Sequence, residues 1–343
     1  MKPILVIKIG TQAITPQRGE VDRVFLEHLT SQISKLNDTY NILLISSGAV
    51  GCGRPFIDNY SGKVSERKAA AAIGNPILIE RYREFFQKYN LADAQILIER
   101  DHFADRKKFL QLRETIQELW KHNIVPICNE NDVVSDFEIR FSDNDELAAL
   151  LAINFDAEKL LLGTSVEGLL DAEGEVVKVI EDFEKAKQCV KKETSSGGLG
   201  GMESKLSVAQ KASDLGVEVI IFQANAEDAL LNAESGKIGT TYPAQDSQIS
   251  SHQRWLQSGA KPVGKIFVDP GARKALKEKN SLLLVGIKSH EGNFVEGDIV
   301  EIFVEGENEP FAFARTRITA RAEEFDTRPA GVILARPEEI SFL

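Results

Sequence analysis

The sequence predicts an open, mainly parallel α/β sheet sandwiched by helices over residues 1–258, then a small β-rich domain over residues 262–343. Three observations predict it. A chain of 343 residues is too long for one comfortable core. Short Val/Ile/Leu-rich runs alternate with longer amphipathic stretches as far as about residue 240. Between the two regions, Pro243 to Pro262 is polar and rich in Gln and Ser, the composition of a connection.

The apolar runs are Pro3–Ile9, Asn41–Ile45, Gln95–Ile98, Ile124–Cys128, Lys159–Leu162 and Val217–Phe222. They are nearly continuous rather than alternating, as strands buried on both faces of a parallel sheet require. Asp22–Leu36, Glu66–Gln87, Arg106–His122, Asn144–Asn154 and Met202–Leu215 repeat apolar residues at helical spacing. This βαβα rhythm places helices on both faces of the sheet. One segment departs from it: Leu169–Ile180 holds Asp171-Ala172-Glu173-Gly174 between two apolar runs and reads as a projecting hairpin. The second region has brief strands around Gly264–Val268, Asp298–Phe303, Phe311–Ile318 and Gly331–Ala335, with one short helix near Arg273–Lys279.

Composition excludes several classes of function. With 43% hydrophobic and 27% charged residues the chain is ordinary globular protein. A net charge of -11 argues against a general nucleic-acid binder, which needs basic surface to replace phosphate counterions. Residues 262–343 hold 11 Lys and Arg against 14 Asp and Glu, the wrong balance for RNA. Cys52, Cys128 and Cys189 are too scattered for a metal knuckle, and their odd count gives no disulfide framework, which suits a reducing compartment. The five histidines form no HExxH-like pair. The opening MKPILVIKIG is too short for a signal-peptide core, and Leu147 to Ile153 is too short to cross a bilayer, so the expected location is the cytoplasm, away from membranes.

In open α/β sheets ligands bind at the carboxyl ends of the strands. Here those ends read Lys8-Ile9-Gly10-Thr11, Ser46-Ser47-Gly48-Ala49, Asn129-Glu130-Asn131-Asp132 and Gly163-Thr164-Ser165. Gly10 and Ser47-Gly48 permit close backbone approach, so N–H groups can face phosphate oxygens. Ser195 to Met202 is a Gly/Ser lead-in to a helix carrying Lys205. It reads either as a flexible linker or as a phosphate site, and the lysine one turn in favours phosphate. Ser142-Asp143-Asn144-Asp145 reads either as a capping box, Ser142 with Asp145, or as a grip on an ammonium group or on lysines. Lys8 by itself is a lysine that could snorkel to solvent. There is no GxxxxGK[ST] loop and no GxGxxG after the first strand, which sets aside P-loop and Rossmann sites.

Taken together, VIKIGT at Val6–Thr11, ISSGAV at Ile45–Val50, ICNEND at Ile127–Asp132, SDNDELAA at Ser142–Ala149 and GLGGMESKL reaching Lys205 resemble the glutamate 5-kinases of the amino acid kinase family. Asp269, Gly271, Ala272, Ser281-Leu282-Leu283, Gly286, Gly292, Phe294, Gly297 and Asp298 resemble a PUA domain, with the match fading after Pro310. The resemblance implies the amino acid kinase fold and an ATP-dependent phosphorylation of the L-glutamate side chain, with Mg²⁺ carried on the ATP phosphates. It implies Lys8, Lys205 and Asp145 as catalytic residues, with Asp145 holding both lysines. Lys8, Gly10, Thr164, Ser165, Leu199, Gly200, Gly201, Met202 and Lys205 would bind the nucleotide. Ser47, Gly48, Asn129, Asp132, Asp143 and Asn144 would read glutamate, Asp132 through its α-ammonium. Ser165 stands where the family usually has aspartate. The resemblance further implies feedback inhibition by proline and a homo-oligomer, a dimer or tetramer. Two other readings stay open: an amino acid kinase of the acetylglutamate or carbamate type, and RNA binding through the PUA-like domain.

Overall fold

The computed structural model describes every residue except 1, 16–18, 135–142, 191–200, 247–250, 259–261, 320–328, 330 and 343. It divides into two compact units, Met1–Gln248 and Ile249–Leu343.

The first unit is built on a seven-stranded sheet. Its strands are β1 (Ile4–Ile9), β2 (Asn41–Ser46), β3 (Ala92–Ile98), β4 (Ile124–Glu130), β5 (Lys159–Thr164), β6 (Glu218–Gln223) and β7 (Thr240–Tyr242), in the order β3-β4-β2-β1-β5-β6-β7. All neighbours are parallel except β6 and β7, which run antiparallel. The six apolar runs of the sequence are the six parallel strands. In β1, Leu5, Val6 and Ile7 are wholly buried, as a strand covered on both faces demands. The register brings the strand ends level: Ile9 lies opposite both Ser46 and Gly163, and Ile45 lies opposite Cys128. The segments after β1, β2, β4 and β5 therefore leave the sheet at one edge.

The helices are α1 (Thr11–Ile14), α2 (Arg23–Leu36), α3 (Ala49–Gly53), α4 (Val64–Phe86), α5 (Asp101–Ala104), α6 (Arg106–Lys121), α7 (Asn144–Phe155), α8 (Phe183–Val190), α9 (Met202–Asp214) and α10 (Ala229–Glu234). In α2, Leu26, Leu29, Ile33 and Leu36 form the buried stripe, and Asp22 caps the first turn by accepting from the Phe25 N–H at 2.9 Å. α7 is buried on every side from Leu147 to Phe155 and almost entirely apolar there, a central helix. α3 and α4 touch backbone to backbone. A Cβ on Gly74 would stand 1.7 Å from the Ala49 carbonyl oxygen, and one on Gly53 would stand 1.9 Å from that of Ala70. Only glycine permits this approach. The expected hairpin closes through a bridge between Leu170 and Val176, with Asp171 Oδ1 accepting from the Glu173 and Glu175 N–H groups.

The second unit has its own core, centred on Ile266, Val268, Phe294, Val300, Ile302 and Leu334. Its strands are β8 (Gly264–Val268), β9 (Leu282–Leu283), β10 (Ile287–Glu291), β11 (Ile299–Val304), β12 (Ala312–Arg315), β13 (Ile333–Ala335) and β14 (Ile340–Phe342). They form a five-stranded sheet, β10-β8-β11-β12-β14, and a β13-β9 pair. Two helices accompany them, α11 (Ser251–Ser258) and α12 (Pro270–Lys277). α11 corrects the reading of Pro243 to Pro262 as a bare connection. Trp255 and Leu256 are buried, and Gln257 donates to Ser341 Oγ and the Phe342 carbonyl. Two adjacent apolar residues in a polar stretch suffice to seat a short helix when a sheet lies beneath them.

Candidate active site

The residues gathered at the carboxyl edge form two connected networks. The first is ionic. Lys8, next to last in β1, is only 7% exposed. Its Nζ lies 2.6 Å from Asp145 Oδ1, while Lys205 Nζ lies 2.8 Å from Asp145 Oδ2 and hydrogen-bonds it. Asp145 is 1% exposed, so one deeply buried carboxylate bridges two lysines, from β1 and from the first turn of α9. The triad carries a net charge of +1, two cations against one anion. Burial alone would raise the Asp145 carboxyl, but the charges of Lys8 and Lys205 outweigh it and hold the group below the usual carboxylate range. The snorkelling alternative for Lys8 is thereby set aside: its ammonium turns inward to a counter-charge.

The second network is one of neutral amides. Asn144 Nδ2 donates to Ser47 Oγ and to Asn129 Oδ1, both at 2.9 Å. Asn129, 5% exposed at the end of β4, also accepts from the Glu130 N–H at 2.9 Å. Asp143 stands between the two networks. Its Oδ1 accepts from the N–H groups of Asp145 and Glu146, both at 3.0 Å, so Asp143 is the N-cap of α7. Of the two readings of this stretch, the grip on lysines holds for Asp145, and the N-cap is Asp143, while Ser142 lies outside the described residues. Asp145 sits inside the first turn, with its carboxylate committed to the lysines. Burial raises the Asp143 carboxyl above its usual range and the neighbouring Asp145 charge adds to this; the Glu146 N–H, Lys8 and Lys205 only partly offset them.

The glycines hold the turns. Gly48 caps α3 with φ of 110°, a conformation open to glycine. Gly10 caps α1, where a Cβ would approach Lys8 Nζ to 3.7 Å. Gly201 caps α9 ahead of Met202 in extended backbone, with no side-chain cap bond among the described residues. Thr164 ends β5 with its hydroxyl 2.8 Å from the Val166 carbonyl and 3.3 Å from that of Phe222, and Ser165 is exposed beside it. Asp132 lies half-buried in the turn after β4. Leu199 and Gly200 lie outside the described residues, as does Ser142.

Sequence reasoning missed Asn75. It belongs to α4, far along the chain from every strand-end motif, yet its Oδ1 lies 3.4 Å from Asn129 Nδ2. The available signal was a lone amide in a buried stripe, Ala71, Asn75 and Ile79, at i, i+4, i+8. The ion pair between Arg100 and Glu146, which pins the first turn of α7 to the start of α5, was missed as well.

Comparison with known proteins places this arrangement. The amino acid kinase family profile matches residues 3–223, and a PUA domain profile matches residues 264–324. Glutamate 5-kinase from Thermoanaerobacter sp. is 36% identical over 337 residues, 94% of this chain and 89% of that protein. Glutamate 5-kinase from Streptococcus suis is 32% identical over 352 residues, 98% of each. Among solved structures, carbamate kinase from Giardia lamblia bound to AMP-PNP superposes with a TM-score of 0.53 at 18% identity, covering 71% of this chain and 99% of that one, a likeness of fold. The family match spans well over half of the chain and the relatives span nearly all of it, so the chain belongs to the amino acid kinase family, grouped with its glutamate 5-kinases and ending in a PUA domain.

Proposed function

We propose that the chain transfers the γ-phosphoryl group of ATP to the side-chain carboxylate of L-glutamate, giving L-glutamyl 5-phosphate, the first step of proline biosynthesis. The observation that carries this reading is the buried Lys8–Asp145–Lys205 triad beside the Ser47–Asn144–Asn129 chain. A glutamate side chain has an ordinary pKa of about 4.3, so the nucleophile is ionised at neutral pH and needs no general base. The difficulty is bringing one anion against another, and catalysis must come from positioning and from positive charge around the transferring group. Burial pushes the Cys52 thiol up to about 11 and the Cys128 thiol up to about 12, so neither suits a nucleophile's part.

In this mechanism Lys8 faces the transferring phosphoryl group and Lys205 the leaving ADP. Asp145 holds both ammonium groups in place. Gly10, Gly48 and Gly201 offer backbone N–H groups to the phosphates, with Gly200 and Leu199 in the preceding segment, and Thr164, Ser165 and Met202 border the nucleotide. Ser47, Asn129, Asp143 and Asn144 read glutamate, and Asp132 pairs with its α-ammonium. Mg²⁺ neutralises charge on the ATP phosphates when bound. The donor set fits a metal carried by the nucleotide, because both Asp145 oxygens are taken by lysines and no group of three or more His, Cys, Asp or Glu is gathered among the described residues.

From the family resemblance the proposal also takes a homo-oligomer, feedback inhibition by proline and a cytoplasmic location. No helix among the described residues is long and apolar enough to cross a membrane. The acidic balance of residues 262–343 supports a second domain that does not bind nucleic acid. The test is a panel of glutamate, N-acetylglutamate and aspartate with ATP, in which hydroxylamine traps any acyl phosphate as a hydroxamate. Hydroxamate from glutamate alone is expected. Product from N-acetylglutamate in preference to glutamate would overturn the assignment.

A further inference from the structure

Asn75 is 4% exposed and enters the site from the middle of a helix rather than from a strand end. Two donors converge on its Oδ1: Asn129 Nδ2 at 3.4 Å and Gln95 Nε2 at 3.3 Å. Its own Nδ2 is buried with no hydrogen-bond partner. An apolar residue would avoid the cost of burying an unmatched N–H group. What the position offers in return is an acceptor at a fixed point. Turned over, the amide would set its NH₂ against that of Asn129, whose orientation the Glu130 N–H fixes.

The consequence runs along the chain of amides. Asn129 is held from both ends: its Nδ2 donates to Asn75 Oδ1, and its Oδ1 accepts from the fixed Glu130 N–H and from Asn144 Nδ2. Asn144 then commits both Nδ2 hydrogens, one to Asn129 Oδ1 and one to Ser47 Oγ. Among the described residues this leaves the Asn144 carbonyl oxygen as an acceptor and the Ser47 hydroxyl hydrogen as a donor. Were Asn129 reversed, Asn144 would have to reverse too, and a donor would stand where the acceptor is now. Asn75 is held to the same frame as Ser47. Gly74 and Gly53 lock α4 against α3, and α3 starts directly after Ser47-Gly48.

We infer that Asn75, braced by Gln95, is a positioning residue that, together with the Glu130 N–H, holds the donor and acceptor polarity of the Asn129–Asn144–Ser47 chain, and through it the affinity for the amino acid substrate. The inference rests on the glutamate reading above, and its test separates the two. In the full chain, Asn75→Ala, Asn129→Ala and the double variant are assayed by hydroxamate formation against glutamate and ATP. Asn75→Ala should raise the glutamate KM roughly five- to tenfold, with kcat within about twofold and the ATP KM unmoved. In the Asn129→Ala background the same substitution should add almost nothing, because its effect passes through Asn129. Gln95 is largely exposed, so Gln95→Met tests the brace without threatening the fold, and should raise the glutamate KM by a smaller factor, about two- to threefold. Effects that multiply in the double variant, a parallel rise in ATP KM, or unchanged glutamate KM in both Asn75→Ala and Gln95→Met would overturn the inference. If Asn75→Ala does not fold, Gln95→Met alone decides. A parent chain that makes no glutamyl hydroxamate would instead refute the functional reading.

Discussion

Replacing Asp145 with Asn keeps the shape of the side chain and removes the charge that two buried lysines share. At an effective dielectric of about 20, pairs 2.6 and 2.8 Å apart attract by about 6 kcal/mol each, before desolvation takes back most of it. The relevant quantity is the penalty for leaving buried cations without a partner, about 3–5 kcal/mol when one member of a buried pair is removed. The lost interaction with the N-terminal dipole of α7 is smaller, about 0.3–1 kcal/mol, and cannot account for a change of that size. At roughly 2–4 °C per kcal/mol for a domain of this size, Asp145→Asn should lower Tm by roughly 6–20 °C. Glutamyl hydroxamate formation should fall by about 10²-fold in kcat, since the lysines lose their placement relative to the phosphates. ATP should raise the variant's Tm more than the parent's, because the polyphosphate returns counter-charge to Lys8 and Lys205. Differential scanning fluorimetry with and without ATP, together with the hydroxamate assay, measures all three. A loss of Tm under about 2 °C with kcat within threefold would refute the account.

Three further outcomes are expected. Asp143→Asn keeps a good N-cap and removes a carboxylate whose pKa is raised by burial and by Asp145. A raised carboxyl gains stability on protonation, so the variant should gain about 2–4 °C in Tm at pH 7. The gain should shrink as pH falls through the raised pKa, and a constant or growing difference on acidification would contradict it. Asp132→Asn should raise the glutamate KM about tenfold or more with the ATP KM nearly unchanged; an equal rise for both substrates would mean that Asp132 organises the site instead. A chain ending at Gln248 should stay folded and form hydroxamate, because it retains the triad, the amide chain and a complete core. A soluble, folded but inactive fragment would show that the second unit completes the site.

The parallel strands were legible because burial on both faces leaves short unbroken apolar runs, as in Ile4 to Ile7, alternating with longer amphipathic stretches. β7 was not, since Thr240–Tyr242 is short, polar and added antiparallel at the edge of the sheet. α11 was hidden because its burial rests on Trp255 and Leu256 within a polar stretch. At the site, the strand-end motifs announced themselves as small and polar residues where apolar ones stop. Their division of labour did not. Ser142 with Asp145 satisfies a capping pattern as well as Asp143 does, and only the geometry shows Asp143 capping while Asp145 turns to the lysines. Asn75 was beyond sequence reasoning for a different reason. Its meaning lies in Gln95 and Asn129, which come from β3 and β4, and a single amide before Pro76 in a long helical run carries no sign of either.

Asp143, Asn144 and Asp145 are consecutive, and their side chains serve three separate ends: the cap of α7, the amide chain and the ionic triad. Successive residues of a helix point about 100° apart, so a single helix start can send neighbouring side chains in different directions. The amide chain and the ionic triad differ electrically. The amide chain from Ser47 to Asn75 is neutral, so it holds donors and acceptors in fixed places without charge of its own. Lys8 and Lys205 share the Asp145 carboxylate, which offsets their mutual repulsion. Both sets hang from one buried helix whose remaining turns, Leu147 to Phe155, are apolar but for Asn154, which donates to the Leu150 carbonyl within the same helix. A shift of α7 along its axis would therefore misplace the lysine bridge and the amide chain together. The long apolar body of α7, buried beneath a motif that is almost entirely polar, is what prevents that shift.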